Sequence, residues 1–507
     1  IHIWRECRMT GAYLKSQVSQ FKFPKIVRAP SRFRVMPSKF KIEITEDCIN
    51  CGLCAELCPY GVFSRPKGYN FLNKPKSYNC IGFECEQNDF YCVKNCPTNA
   101  IKISYDSTYK LLGDYRWTPD LILATWIQSE TGHPPKNRSI EYKVGASGGG
   151  FDKIHFKIDK NVDPIPKEEI DTSIELNRRD FGPKITIPIP WYGGGMSFGS
   201  ISLNSMLARA IAAKEWNTFT STGEGGYPPE LVKYKDHIIT QVATGLFGVR
   251  EETIKYARIV EFKYAQGAKP GLGGHLLADK VTPEVARMRE AVPWRSLFSP
   301  FPFHSVYSVE DHKKHVDWIK TVNPKALVAV KVSTPTDVDM VAVGSYYAGA
   351  NIIHLDGGYG GTGAAPDIAK KNIATPIEFA IPKVHKFLLA EGIRDEIVLI
   401  ASGGIRTAYD IAKAIALGAD GVVIGTADLV ALECARCGRC ESGRGCPIGI
   451  ATTDKELSKL IDPMWGAQRI INLYNAWREQ LVDLLSKLGL RSIRELRGRT
   501  DLLYYER

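Results

Sequence analysis

The pattern of apolar and polar positions changes near residue 184 and predicts alternating strands and helices from there on. Short runs rich in β-branched residues alternate with stretches of helical period, such as 203–214 and 408–417. The predicted strands occupy residues 185–189, 218–222, 260–264, 326–332, 351–356, 397–401 and 421–424. Alternation of this kind over roughly 250 residues indicates a parallel α/β domain.

The loops after these strands narrow the expected fold class to α/β with a (β/α)8 TIM barrel. They are rich in glycine and stand at the carboxyl ends of the strands, where such barrels place their chemistry. A doubly wound sheet is the alternative, but no GxGxxG unit is evident after its first strand. For the same reason, NAD(P)H is not expected to bind this chain.

A smaller unit precedes the barrel and is organised around cysteines. Two short strands, 41–44 and 100–104, each adjoin a run of cysteines, which predicts a small α+β ferredoxin-like domain over 41–105. Of the 13 cysteines, all but Cys7 fall in three runs, and each run ends in Cys-Pro. The runs are Cys48, Cys51, Cys54 and Cys58; Cys80, Cys85, Cys92 and Cys96; and Cys434, Cys437, Cys440 and Cys446.

The spacing of the first run, C-x2-C-x2-C-x3-C-P, is typical of bacterial ferredoxins, whose fourth cysteine ligates the other cluster. Structural zinc is a rival interpretation, above all for the two less regular runs, because CxxC pairs also hold Zn²⁺. A disulfide scaffold fits poorly, because such scaffolds are small and secreted. The ferredoxin rule assigns one [4Fe–4S] cluster to Cys48, Cys51, Cys54 and Cys96, and a second to Cys58, Cys80, Cys85 and Cys92.

The first 40 residues form a basic arm that carries most of the net charge. They hold nine Lys or Arg against one Glu, which is +8 of the +11 of the whole chain. Such an arm can bind nucleic acid, an acidic membrane or an acidic partner. Its apolar residues instead favour an arm that lies on the protein's own surface: Phe21, Phe23, Ile26, Val27 and Phe33. Neither a run of 18 apolar residues nor a secretory signal occurs, so we expect no membrane span and a cytoplasmic location.

Two glycine loops near the end of the predicted barrel indicate a flavin-phosphate site. Residues 400–406 read IASGGIR and residues 424–426 read IGT, and barrels commonly bind phosphate with the loops after strands seven and eight. Lys331 stands at the end of another predicted strand, where its charge can stabilise a reduced flavin. These features predict FMN as a cofactor.

With these motifs the chain resembles glutamate synthase. From about residue 180 it is similar to the FMN-binding domain of that family, and with the ferredoxin-like unit in front it resembles the archaeal-type subunit. The segments that carry the resemblance are GMSFGSIS at 195–202, STGEGG at 221–226, QVATGLFGV at 241–249, KYAQGAKPG at 263–271, GGTGAAP at 360–366 and CPIGIAT at 446–452.

The resemblance implies an oxidoreductase acting on CH–NH2 donors. It would convert 2-oxoglutarate and ammonia, through 2-iminoglutarate, to L-glutamate with a hydride from FMN. Lys269 and Arg289 are implied to bind the oxo-acid carboxylates, and Glu224 and Lys263 to serve the incoming nitrogen. The residues implied to line FMN are Met196, Ser197, Thr222, Gln241, Lys331, Gly363, Gly403, Gly404, Gly425 and Thr426.

The resemblance also implies partners. An electron-donor protein is expected to reduce the ferredoxin-like domain. No cysteine nucleophile opens the chain, so ammonia is expected from solution or from a separate glutamine amidotransferase subunit. An oligomer or a larger complex is expected, without nucleic acid.

Three departures from the family pattern concern the substrate and the third cluster. The family usually has a His-Asp pair where this chain has Gly358 and Tyr359, and a Gln where it has His275. These differences leave two alternatives open: a related enzyme on another oxo-acid or amine, such as an N-methylglutamate synthase-like activity, or an electron-relay subunit. The family usually supplies three cysteines for a [3Fe–4S] cluster, and here Cys437 adds a fourth, which predicts a [4Fe–4S] cluster.

The predicted domain organisation follows from these motifs. The segments are a basic arm at 1–40, the ferredoxin-like domain at 41–105, a connector at 106–180, the FMN-binding barrel at 181–455 with the third cluster at 434–446, and a helical segment at 456–507.

Overall fold

The computed structural model describes residues 21–32, 37–135, 150–300 and 303–506. Cys7, Phe33 and most of the basic arm lie outside the described residues. Residues Pro30–Ile122 form one compact unit, which is longer than the predicted ferredoxin-like domain. The other unit contains the remaining described residues.

The smaller unit is an α+β structure built on two paired strands, as the sequence predicts. Strands β1 (Phe40–Ile44) and β2 (Ile101–Tyr105) are antiparallel, with Ile42 opposite Ile103. Their apolar faces pack with Val62 and with several of the cysteines. Three short helices complete the unit: α1 (Leu53–Leu57), α2 (Cys92–Asn95) and α3 (Ser107–Lys110).

The larger unit contains an eight-stranded parallel sheet flanked by short antiparallel pairs. Strands outside the barrel are β3 (Ile154–Phe156), β4 (Ile174–Glu175), β5 (Thr186–Ile187), β10 (His275–Leu276), β11 (Leu297–Phe298) and β16 (Leu503–Tyr505). Barrel strands, in order, are β6 (Trp191–Gly193), β7 (Thr220–Ser221), β8 (Ile238–Ala243), β9 (Ile259–Lys263), β12 (Leu327–Ser333), β13 (Ile352–Asp356), β14 (Val398–Ser402) and β15 (Gly421–Ile424).

The eight parallel strands close into a barrel. The last strand, β15, pairs in parallel with the first, β6. A bridge between Gly195 and Ser221 joins the end of β6 to β7. The α/β barrel predicted from the alternating pattern is therefore confirmed, and the carboxyl ends of all eight strands meet at one face.

Helices alternate with the barrel strands and cover them. Several begin at side-chain caps, as at Ser202, Thr407 and Asp462, whose oxygens accept from backbone N–H groups of the first turn. The helices are α4 (Pro119–Thr131), α5 (Leu203–Glu215), α6 (Glu251–Lys255), α7 (Pro283–Arg289), α8 (Val309–Val322), α9 (Val338–Tyr347), α10 (Asp367–Asn372), α11 (Ile377–Ala390), α12 (Ala408–Ala416), α13 (Thr426–Ala431), α14 (Lys455–Ser458) and α15 (Pro463–Lys487).

One predicted strand lies outside the barrel, and two barrel strands were missed. The run 185–189 contains β5, which pairs antiparallel with β4 outside the barrel. Pro188 and Pro190 follow β5, and a proline cannot donate to a strand ladder. The first barrel strand is instead β6, whose three residues are too short to show a period, and β8 was not recognised among the predicted strands.

Residues 21–29 of the basic arm belong to the larger unit and pack on it. The Phe23 ring is 5.8 Å from that of Trp216, and the Arg478 guanidinium stands 4.0 Å above Phe23. Asn472 of α15 donates to the carbonyl of Val27 at 2.9 Å. Residues 21–29 therefore lie on the protein's own surface, as expected.

One loop carries the GxGxxG spacing that the sequence reading did not find. Gly358, Gly360 and Gly363 have this spacing, but the loop follows the sixth barrel strand, β13. A dinucleotide fingerprint instead follows the first strand of an open sheet. The spacing here serves close packing, because a Cβ on Gly358 would lie 2.5 Å from the carbonyl oxygen of Ala374. Among the described helices, none is long and apolar enough to cross a membrane.

Candidate active site and iron–sulfur sites

A buried carboxylate lies at the carboxyl face of the barrel, where two strand ends meet. Glu224 follows β7, and its Oε2 is 2.9 Å from Nζ of Lys263 at the end of β9. Ser299 donates to the same oxygen at 3.1 Å. A Cβ on Gly274 would lie only 1.5 Å from Oε1 of Glu224, so this position requires glycine. Burial opposes ionisation of Glu224, but the charge and hydrogen bond of Lys263, the charge of Arg289 and the hydrogen bond of Ser299 together outweigh it, so the pKa of Glu224 is lowered.

Two further cations stand beside this carboxylate. Arg289, at the end of α7, is 4% exposed and donates to Oγ of Ser197 at 2.8 Å. Lys269 is 5% exposed, and burial, followed by repulsion from Lys263, lowers its pKa to about 8. The three cations and the one carboxylate leave a net charge of +2, which suits a dianionic ligand.

His275 connects these cations to the third cysteine run. Its Nδ1 is 3.0 Å from Nζ of Lys269, and its Nε2 is 3.3 Å from Oε1 of Glu441. Glu441 directly follows Cys440. The residue that departs from the family pattern thus touches one of the implied substrate-binding residues.

The glycine loops of the implied flavin site pack closely on one another. A Cβ on Gly223 would lie 2.4 Å from the backbone nitrogen of Ser197, and one on Gly195 2.8 Å from Nε2 of Gln241. Gly403 has a φ of 94° and would place a Cβ 2.5 Å from the carbonyl oxygen of Gly357. A Cβ on Gly425 would instead meet open space. The loop after β15 therefore leaves a cradle at Gly425, with room for a ligand such as a phosphate group.

Lys331 belongs to a buried polar network that begins at this cradle. Its Nζ lies 3.2 Å from Oδ2 of Asp356, and Ser402 donates to Oδ1 of Asp356 at 2.7 Å. His354 bridges Ser402, at 2.7 Å, and Glu261, at 2.9 Å. Burial opposes the charge on both partners, but their attraction raises the pKa of Lys331 and lowers that of Asp356 to about 2. Lys331 therefore keeps its charge throughout the usual pH range.

The cysteines of the smaller unit line two cavities. One is lined by Cys48, Cys51, Cys54, Cys92 and Cys96, and the other by Cys58, Cys80, Cys85 and Cys92. Cys96 is thus grouped with the first run and Cys58 with the second, which is the crossed arrangement that ferredoxins use. Cys92 borders both cavities.

The donor set of the two cavities fits iron–sulfur clusters, which are held by cysteine thiolates. None of the twelve described cysteines lies in a disulfide. Burial, with neighbouring cysteines, raises the pKa of Cys92 to about 12, so thiolates there need a metal to displace their protons.

The third cysteine run follows the last barrel strand and reaches the glycine loops. It begins just after α13, and Glu433 and Arg436 adopt positive φ angles of 74° and 60° that turn the chain. A Cβ on Gly363 would lie 2.9 Å from Sγ of Cys440. The run therefore lies against the loop after β13, in the same unit as the implied flavin site.

The structure brings together the implied substrate residues and adds partners that the sequence reading missed. Glu224, Lys263, Lys269 and Arg289 all lie at the carboxyl face of the barrel. No sequence motif marks Ser299 or Glu441 as a functional residue. Glu261 and His354 could have been found, because they are polar residues inside otherwise apolar strands.

The fold and the site define a class of protein: an oxidoreductase of the iron–sulfur flavoprotein type, with a (β/α)8 barrel. The family model described as a conserved region in glutamate synthase matches residues 150–491, and that of a 4Fe-4S binding domain matches residues 42–64. The chain therefore belongs to the glutamate synthase family.

Relatives match along nearly the whole chain. The archaeal-type glutamate synthase [NADPH] of Dehalococcoides mccartyi is 37% identical over 491 residues, covering 91% of this chain and 94% of the relative. The archaeal glutamate synthase [NADPH] of Methanocaldococcus jannaschii is 38% identical over 502 residues, covering 92% and 95%. Among solved structures, the flavin-binding domain of baker's yeast flavocytochrome b2 has a TM-score of 0.43 at 18% identity, covering 70% and 76%.

Proposed function

We propose that this protein is a glutamate synthase that aminates 2-oxoglutarate reductively to L-glutamate. The observation that carries the proposal is the net charge of +2 around Glu224 at the carboxyl face of the barrel. A dicarboxylate substrate needs two cationic partners, and Lys269 and Arg289 supply them. Membership of the glutamate synthase family supports the same reaction.

Each residue of the site has its own role in the proposed reaction. Lys269 and Arg289 bind the two carboxylates and orient the oxo carbon. Ammonia adds to that carbon and one water leaves, which gives 2-iminoglutarate. Glu224, held ionised by Lys263 and its other partners, accepts a hydrogen bond from the nitrogen, takes the proton that the added ammonia loses and returns it to the hydroxyl that leaves as water. FMN, when bound, would supply the hydride for the C=N bond, and the second hydrogen would arrive as a proton.

The residues proposed to hold FMN come from five loops and two strands, β8 and β12, of the barrel. Lys331 would place its charge near the flavin ring, with Asp356 fixing its position. The loops after β14 and β15 would hold the phosphate through backbone N–H groups. The full set is Met196, Ser197, Thr222, Gln241, Lys331, Gly363, Gly403, Gly404, Gly425 and Thr426.

We also propose three [4Fe–4S] clusters and outside partners. Two clusters would use the crossed cysteine sets of the smaller unit, and the third Cys434, Cys437, Cys440 and Cys446. The clusters would pass electrons from a donor protein to the flavin. The names of the relatives include NADPH, which fits a separate donor that oxidises NADPH. Ammonia would come from solution or from an amidotransferase subunit.

The reaction is tested with the holoprotein, reduced anaerobically with dithionite and mixed with 2-oxoglutarate and ammonium. We expect the flavin absorbance to return to its oxidised form and one L-glutamate to appear for every two electrons that the flavin and the clusters give up. Omission of either substrate is the control and should leave the flavin reduced. A flavin that stays reduced with both substrates present, and no glutamate, would refute the proposal.

The type of the third cluster is tested by changing Cys437 to Ser. We expect about 12 irons per wild-type chain and about 11 in the variant, because the cluster would lose the iron that Cys437 holds. The variant should also gain the EPR signal of an oxidised [3Fe–4S] cluster. If the wild-type protein itself shows that signal and about 11 irons, the fourth cysteine is not a ligand.

A further inference from the structure

A buried lysine lies beside the third cysteine run without a carboxylate partner. Lys280 ends the short turn Ala278–Lys280 between β10 and α7, and it is 2% exposed. Its Nζ donates to two backbone carbonyls, those of Ser200 at 3.3 Å and Ala451 at 3.2 Å. In the described part of the chain, it forms no ion pair with Asp or Glu. The carboxylate of the adjacent Asp279 attracts the ammonium without forming an ion pair with it, and Arg289 repels it. A buried ammonium with so little compensation is costly, so a further negative group at this site would stabilise it.

The turn that carries Lys280 is fixed to the cluster loop at several points. Oδ2 of Asp279 accepts from the backbone N–H of Gly443 at 2.8 Å. His275 reaches Glu441, and Lys280 itself binds Ala451, five residues after Cys446. These contacts fix the position of the Lys280 ammonium relative to Cys440 and Cys446.

The cysteines and Lys280 also interact through their charges. Burial lowers the pKa of Lys280 to about 8, while negative charge on Cys440 and Cys446 acts in the opposite direction. The charge of Lys280 in turn favours a lower pKa for Cys440. Burial has the larger effect, so the pKa of Cys440 is raised overall. The group that would compensate the buried ammonium is therefore the set of thiolates around the third cluster.

We propose that Lys280 sets the reduction potential of the third cluster, raising it so that the cluster accepts electrons readily. The inference rests on the third cluster of the proposed function. Reduction adds one negative charge to the cluster, and a fixed cation in a buried site stabilises that charge with little screening by solvent. Net charge and hydrogen bonding around the sulfurs are the means by which proteins tune such potentials. Lys280 is a positioning residue and need not touch the substrate.

The test compares potentials in whole holoprotein by EPR-monitored redox titration, with iron counted in each sample. Lys280→Gln keeps an N–H donor for the two carbonyls but removes the charge, and Lys280→Arg keeps the charge. We expect the third-cluster potential of K280Q to shift to more negative values, beyond the scatter of replicates, and that of K280R to stay near the wild-type value. Lys413→Gln is the matched control, because Lys413 is partly buried and donates to a backbone carbonyl, that of Phe151, at 2.8 Å.

Each other outcome overturns the inference. A K280Q protein with full iron content and an unchanged potential would show that the charge has no effect on the cluster. Loss of about four irons in K280Q would assign Lys280 a purely structural role in holding the cluster loop. If the wild-type protein shows no third-cluster signal at all, the cluster assignment of the proposed function fails, and this result is distinct from the other two.

Discussion

Replacing Glu224 by Gln is expected to lower kcat for glutamate formation by about 10²- to 10⁴-fold, the usual contribution of a general acid or base. The amide keeps the size of the side chain and can still accept from Lys263 and Ser299. It cannot carry the negative charge or take up a proton from the incoming nitrogen. Steady-state turnover with dithionite-reduced enzyme measures the effect.

The matched control for this prediction is Glu230→Gln, an exposed carboxylate in the segment after the same strand. It should retain wild-type turnover. The E224Q protein should also keep its FMN and iron content, because Glu224 is placed with the substrate and not with the cofactors. If E224Q retains kcat within about threefold of wild type, Glu224 has no chemical role.

The affinity for 2-oxoglutarate is expected to fall above about pH 8, because Lys269 must be charged to bind a carboxylate. Burial and the neighbouring Lys263 lower the pKa of Lys269 to about 8. The ammonium is present below this pH and is lost as the pH rises through it. Where binding requires that proton, Kd should rise about tenfold per pH unit above 8. Flavin absorbance changes on titration with 2-oxoglutarate measure Kd without ammonia, whose own ionisation would confuse a kinetic measurement.

Lys269→Met should remove this pH dependence and weaken binding at pH 7 by about 10- to 150-fold, the value of a charge-assisted hydrogen bond. Lys233→Met, at an exposed position on the same unit, is the control and should keep both the affinity and the pH profile. A K269M protein that still loses affinity above pH 8 would place the titrating group elsewhere.

Most barrel strands were predictable from their apolar and β-branched residues, and two were missed. β12 and β13 are largely apolar, interrupted by Lys331 and His354, and this composition placed them in a parallel sheet. β8 was missed although it has six residues. β6 has only three residues, so no period can identify it, and the isoleucines before it made the run 185–189 look like the first barrel strand. Its position follows from pairing with β15, which is a long-range contact that no local pattern contains.

The candidate active site was partly predictable, because local patterns reveal residues beside strand ends but not long-range contacts. Glu224, Lys263 and Lys269 stand in or beside strand-end loops, and the barrel rule brings such loops to one face. Ser299 reaches Glu224 from a distant hairpin, so only the three-dimensional fold reveals it. The same holds for Lys280, whose partners belong to segments 80 residues before it and 171 residues after it.

The closure of the barrel between β6 and β15 imposes an order on the maturation of the protein during its synthesis. The first strand cannot find its partner until residue 424 has left the ribosome, and the third cysteine run follows immediately. The smaller unit, by contrast, ends at residue 122 and contains all eight of its cysteines in 93 consecutive residues. The two clusters proposed for this unit would be open to insertion while translation continues, whereas the proposed third cluster would have to wait until residue 446 has been made.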